Sequence, residues 1–167
     1  MRPSIDFNCD VGESFGPWRM GHDDALLPFA SSANIACGMH AGDPMVIQHT
    51  IALCQRHGVA IGAHPGFPDL QGFGRRTLGM SATEIHACVL YQVSALAGMT
   101  GAAGARLHHV KPHGALYHMA NTHADVASAV VDAIRSVSPT LKLYAQAQSR
   151  LALVGLQAGL PVVEEAF

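Results

Sequence analysis

Histidines, carboxylates and a lysine recur in this sequence where short apolar runs end. Ile5-Asp6-Phe7 leads into Asn8-Cys9-Asp10-Val11-Gly12-Glu13, and Ala33-Asn34-Ile35-Ala36 into Cys37-Gly38-Met39-His40-Ala41-Gly42-Asp43. Val59-Ala60-Ile61-Gly62-Ala63 leads into His64-Pro65-Gly66-Phe67-Pro68-Asp69, and Leu107-His108-His109-Val110 into Lys111-Pro112-His113. These residue types cover proton transfer, stabilisation of negative charge and metal ligation. Asp10, His40, His64, Lys111 and His113 are therefore the candidate catalytic residues.

Local context sharpens the set. Period-two alternation puts Asp6, Asn8 and Asp10 on one face of a strand, a costly arrangement unless all three are satisfied. Pro65, Gly66 and Pro68 make a tight, rigid loop after His64. Pro112 fixes Lys111 and His113 on one side of the chain. Arg75 and Arg76, in Gln71-Gly72-Phe73-Gly74-Arg75-Arg76, can clamp a carboxylate or phosphate. Asn8, Glu13, Asp43, Arg75 and Arg76 are the candidate substrate contacts, although Asp43 also reads as a helix N-cap. If an ion is held, its donors are Asp10, His40, His64 and His113; with no H-E-x-x-H motif, metal-free acid–base chemistry is the preferred reading. Of His108 and His109, one is expected to pack against a helix.

The elements that must position these residues alternate. Strands are expected at residues 4–9, 32–37, 59–63, 106–110, 141–145 and 162–165. Asp43-Pro44 starts a helix that Gly58 ends. Ser81 and Glu84 form a capping box for a helix that stops by Gly104. A helix starting at Asn121 or Thr122 ends before Pro139, and a short one runs over residues 149–158 to Gly159. Strand–helix repetition implies parallel strands with right-handed crossovers, an α/β sheet or partly built barrel whose polar loops meet at one rim. The whole chain, 1–167, reads as one domain.

Composition narrows the partners. Of 167 residues 49% are hydrophobic and 13% charged, and 12 acids against 10 bases give a net charge of −2. No basic stripe favours nucleic acid. No uninterrupted apolar run is long enough to span a bilayer, and the N-terminus lacks a signal-peptide core, so a cytoplasmic protein is expected. The four cysteines form no C-x-x-C pair; Cys54 and Cys88 on helices, and Cys9 and Cys37 at strand ends, read as small packing residues. No G-x-x-x-x-G-K-[ST] is present, so the chain is not itself a P-loop ATPase.

Taken in order, the stretches Asp6–Glu13, Ser32–Pro44, Gly62–Asp69 with Gly72–Arg76, and His109–Tyr117 resemble the LamB/YcsF family, the A subunit of bacterial 5-oxoprolinase. The resemblance implies an irregular (β/α) barrel of the glycoside hydrolase/deacetylase type. It implies ATP-dependent opening of the lactam 5-oxoproline to L-glutamate, with partner subunits B and C and ATP as co-substrate. Asp10, Glu13, His40, His64, Lys111 and His113 would line the site. Family members continue beyond residue 167, so an incomplete barrel is expected, and its uncovered edge would favour self-association into a homo-oligomer. Two other readings stay open: a metal-dependent carbohydrate or amide deacetylase on a related barrel, and a non-catalytic ligand-binding subunit.

Overall fold

A computed structural model describes residues 5–166. Six parallel strands carry the fold: β1 Asn8–Val11, β2 Ser32–Ala36, β3 Ala60–His64, β4 Leu107–Val110, β5 Lys142–Gln146 and β6 Val162–Glu165. Each pairs only with its neighbours in sequence, in the order β1-β2-β3-β4-β5-β6. Right-handed crossovers in that unbroken order put the crossover helices on one side of the sheet and leave the other side concave. The result is a curled half-barrel. The curl is tight enough for the Tyr144 hydroxyl on β5 to donate to Asp6 Oδ2, ahead of β1, at 2.7 Å.

Alternation separates the two faces. Ala33, Ile35, Ile61, Ala63, Val110 and Leu143 are buried beneath the helices α2 Pro44–His57, α3 Ala82–Ala102, α5 Ala124–Val137 and α6 Arg150–Gln157. The intervening residues line the concave face and are mostly polar, with Ala36, Ala60 and Gly62 the exceptions on β2 and β3. The helix boundaries follow their caps. Asp43 accepts from the amides of Met45 and Val46, Gly58 closes α2 at a positive φ, and Ser81 with Glu84 completes the box on α3. By length and composition α3 alone among the described residues could cross a membrane; here its Ile85, Val89, Val93 and Leu96 lie in the core.

Three expectations are corrected. The first strand starts later than residues 4–9. Ile5 and Phe7 are exposed, and Phe7 bonds to Ser31, where β2 has not yet begun; Ser4 lies outside the described residues. Asn121 and Thr122 end a helix rather than start one. The short helix α4, Gly114–Thr122, follows His113 directly, and His123, with an extended backbone, separates it from α5. A further short helix, α1 Asp23–Leu26, with a 3-10 turn over Leu27–Phe29, precedes β2.

The third correction concerns His108 and His109, neither of which serves as helix packing. The pairing steps from Ile61↔Leu107 to Gly62↔His109, so His108 is the extra residue of a β-bulge. The bulge turns His109 into the concavity, where it is fully buried and stacks on Tyr144 at 4.2 Å between ring centroids. Donors and acceptors then run in one direction. Lys142 Nζ lies 3.0 Å from His108 Nε2, His108 Nδ1 3.0 Å from His109 Nδ1, and His109 Nε2 2.7 Å from Asn34 Oδ1. Asn34 Nδ2 donates onward to Asp10 Oδ1 at 2.8 Å. Two neutral imidazoles satisfy every link.

Two outcomes follow for stability. A Cβ on Gly62 would land on the His109 ring, so Gly62→Ala is expected to cost about 1–3 kcal/mol, read as a lowered urea midpoint. Burial first, then the nearby His108, His64 and Lys111, push the His109 pKa from 6.5 down to about 3, against a smaller opposing pull from Asp6. The unfolded chain takes up a proton that the folded chain refuses. This contribution is therefore complete above the unfolded value of 6.5 and is lost as pH falls from there towards about 3. Its slope is at most about 1.4 kcal/mol per pH unit. Urea midpoints measured against pH should show it, and His109→Gln should reduce the slope.

Candidate active site

The ends of β1, β2, β3 and β4 deliver the site. Beyond its last paired residue, β4 keeps running beside β3: the Lys111 amide donates to Ala63 O and the His113 amide to Pro65 O, each at 2.9 Å. That continuation keeps Lys111 and His113 on the concave side. Lys111 Nζ lies 2.8 Å from Glu165 Oε1 and 3.7 Å from Asp10 Oδ1, and 3.5 Å from Asn8 Oδ1. One ammonium thus joins β1 to β6 across the trough. Burial disfavours charge on Asp10, but positive charge at His64, the Lys111 ammonium and the Asn34 amide outweigh it and hold the carboxyl far below its ordinary range.

His40, His64 and His113 are buried together. The His40 and His113 rings stack at 3.8 Å between centroids, and His64 meets both edge-on. His64 Nε2 is 3.5 Å from Asp10 Oδ2, and His40 Nε2 is 3.8 Å from Glu13 Oε1. Burial and then the neighbouring imidazoles push His40 to about 3 and His113 to about 4, so both are neutral near pH 7. Such packing needs backbone without side chains. A Cβ at Gly66 would sit 2.7 Å from His40 Nδ1, and one at Gly74 would sit 2.9 Å from His113 Cδ2.

The loop over residues 69–76 shapes the other wall. Asp69 accepts from the Gly72 and Arg76 amides and from the Arg76 guanidinium. Phe73, at the loop's tip, has a φ of 54°, unusual for a bulky residue. Its carbonyl oxygen is 2.7 Å from His113 Nε2. Arg76 is therefore spent on holding the loop, and Asp43 on helix capping and the Gly16 amide. Neither faces the cleft. Arg75 does: with Asp10, His64, Lys111, His113 and Tyr117 it lines a polar cavity of about 560 Å³. A second cavity, of about 400 Å³, opens on the far side of Glu13 and His40, walled by Phe15, Trp18, Met20, Leu70 and Phe73.

The expected catalytic residues thus converge, as do Asn8, Glu13 and Arg75. Among the donors, the structure groups Glu13 rather than Asp10 with the three histidines. Sequence reasoning missed Asn34, Glu165 and the Phe73 carbonyl. Asn34 had a signal, a polar residue in phase with Asp10 on a parallel strand; Glu165 had only its place at a strand end. The thiols act as small hydrophobes: burial pushes Cys9 to about 11 and Cys37 and Cys54 to about 12, and it raises Cys88.

The sequence matches the LamB/YcsF family model over residues 5–167. It is 53% identical over 165 residues to the 5-oxoprolinase A subunit of Bacillus cereus (strain B4264), covering 98% of this chain and 65% of that protein. It is equally identical, over 164 residues, to the 5-oxoprolinase A subunit of Bacillus cytotoxicus. The crystal structure of a lactam utilization protein from Thermus thermophilus superposes with a TM-score of 0.97 at 47% identity, over 99% of this chain and 67% of that one. The chain thus spans about two thirds of the length of these relatives. With the match running through every strand-end cluster of the site, this chain belongs to the LamB/YcsF family.

Proposed function

We propose that the concave face carries the ring-opening site of an ATP-dependent 5-oxoprolinase, working with partner subunits B and C. In this reading the half-barrel is part of an irregular barrel of the glycoside hydrolase/deacetylase type. The observation that carries the proposal is the juxtaposition of Lys111, Asp10 and the histidine cluster at one open cleft. The names of the relatives, 5-oxoprolinase A subunit and lactam utilization protein, support it.

The chemistry suits these groups. A five-membered lactam is a resonance-stabilised amide, slow to hydrolyse and quick to reclose. ATP, supplied at a partner's site, passes its γ-phosphoryl group to the lactam oxygen, with ADP as the leaving group, and makes the ring carbon electrophilic. Water must then be oriented and negative charge stabilised as it attacks. Asp10, firmly ionised, is a weak base and a good hydrogen-bond acceptor. It orients the water, and activation of the ring makes a stronger base unnecessary. Lys111 stabilises the charge that develops, and Arg75 receives the substrate carboxylate. Beside the imidazole cluster the ring C–N bond then breaks, the nitrogen taking up the proton that the attacking water gives up, and hydrolysis of the resulting acyl phosphate releases phosphate and L-glutamate.

Reconstituting the chain with its partner subunits and following 5-oxoproline-dependent ATP hydrolysis tests this. Lys111→Met and Asp10→Asn should each lower turnover by about 10²–10⁴-fold. His64→Ala should do the same, whereas Asp43→Asn should leave turnover nearly unchanged. Unaltered turnover in the first three would sink the assignment. Hydrolysis of an amide with no ATP requirement would favour a metal-dependent deacetylase instead.

A further inference from the structure

His64 and His113 face each other with their protons already committed elsewhere. His64 Nδ1 is 2.7 Å from the Lys111 carbonyl oxygen, and His113 Nε2 is 2.7 Å from that of Phe73. A carbonyl only accepts, so those two nitrogens carry the protons and a neutral ring leaves the other nitrogen bare. The bare pair, His64 Nε2 and His113 Nδ1, stands 3.1 Å apart. Two lone pairs at that separation repel unless something positive lies between or beside them. The His108–His109 pair in the same concavity shows no such conflict, because its donors and acceptors alternate.

A second, independent observation points to the same spot. His40 is 1% exposed, and neither of its ring nitrogens has a hydrogen-bond partner. One donor atom each from Glu13, His40, His64 and His113 lies within 4.8 Å of the others. We propose that these four side chains bind one divalent d-block cation of the Zn²⁺ class. Bonds to zinc of about 2.0–2.1 Å set a ligand-to-ligand spacing of about 3.3 Å in a tetrahedron. The His64–His113 separation of 3.1 Å is already close to this and the His40–Glu13 separation of 3.8 Å exceeds it by about half an ångström; the set as a whole spans up to 4.8 Å, and the His40 ring, stacked parallel on His113, must turn to aim a nitrogen at the same ion. Three imidazoles and a carboxylate suit zinc, and its neighbours in the series, better than magnesium or calcium.

The supporting residues acquire a purpose. Metal-binding histidines characteristically donate their second ring N–H to a carbonyl or carboxylate, which fixes the tautomer and aims the lone pair. The Lys111 and Phe73 carbonyls do this here. Asp69 and Arg76 are positioning residues that act through the carbonyl of Phe73. The proposal rests on reading this cluster as the protein's reaction centre, where the cation would act as a Lewis acid beside Lys111.

The test strips the purified chain with a chelator, titrates it with Zn²⁺ by calorimetry, and records the visible spectrum with Co²⁺. One cation per chain, d–d bands of a four-coordinate nitrogen and oxygen site, and a rise in melting temperature on loading are expected. Glu13→Gln, nearly isosteric, and His113→Ala should each weaken binding by about 100-fold or more, while Asp132→Asn, on the exposed face of α5, stays within a few-fold of the wild type. Circular dichroism confirms that each variant folds. A stripped wild type that takes up no stoichiometric cation overturns the proposal, as does unchanged affinity in Glu13→Gln and His113→Ala. A bound cation without reconstituted turnover supports the metal site and counts against the 5-oxoprolinase reading; turnover in cation-free protein does the reverse.

Discussion

The head-on approach of two bare imidazole nitrogens, His64 Nε2 and His113 Nδ1 at 3.1 Å, is the contact the site is built to hold. A buried polar atom without a partner costs about 1–3 kcal/mol, and a repelling pair costs more. The fold sustains the contact because it fixes both rings from behind. On one side the β3–β4 ladder continues past its last paired residues and presents the Lys111 carbonyl to His64 Nδ1. On the other, the loop tied by Asp69 and Arg76 presents the Phe73 carbonyl to His113 Nε2. Gly66 and Gly74 let His40 and His113 stack without a clash. The arrangement requires a positive species between the rings, and the rest of the site can be read as the means of keeping it there.

The same economy governs the whole concave face. A sheet covered by helices on one side only leaves its other side to be satisfied by its own side chains. Asp6 is met by Ser31, Ser32 and Tyr144, Asn34 by Asn8, Asp10 and His109. Lys111 spans from Asp10 to Glu165, and Tyr117 donates to the second oxygen of Glu165 at 2.9 Å. Positive and negative groups alternate across the trough, so substrate atoms entering there meet oriented charges rather than water that must reorganise.

Much of this was legible in the sequence because it rests on local rules. Period-two alternation placed Asp6, Asn8 and Asp10 together, Pro112 placed Lys111 with His113, and caps at Asp43, Ser81 and Gly58 marked their helices. What escaped depends on non-local geometry. A bulge at His108 cannot be read from Leu107-His108-His109-Val110, because it exists only relative to Ile61 and Gly62 on the neighbouring strand. Arg76 looked like an anion clamp until the fold placed it against Asp69. The Phe73 carbonyl is a backbone atom whose role comes from a left-handed φ and a pinned loop. The helix over Gly114–Thr122 was missed because the polar Asn121 and Thr122 read as a start, whereas Thr122 bonds back to His118 and closes it.

The most direct measurement is the protonation pattern of these rings, read from long-range ¹H–¹⁵N correlation spectra of the histidines at neutral pH. A protonated Nδ1 on His64 and a protonated Nε2 on His113 are predicted, with both of those protons resisting exchange with solvent. A His64 ring with bare Nδ1, or a His113 ring with bare Nε2, would mean that the carbonyls do not hold the rings, and would contradict the assignment of the bare pair.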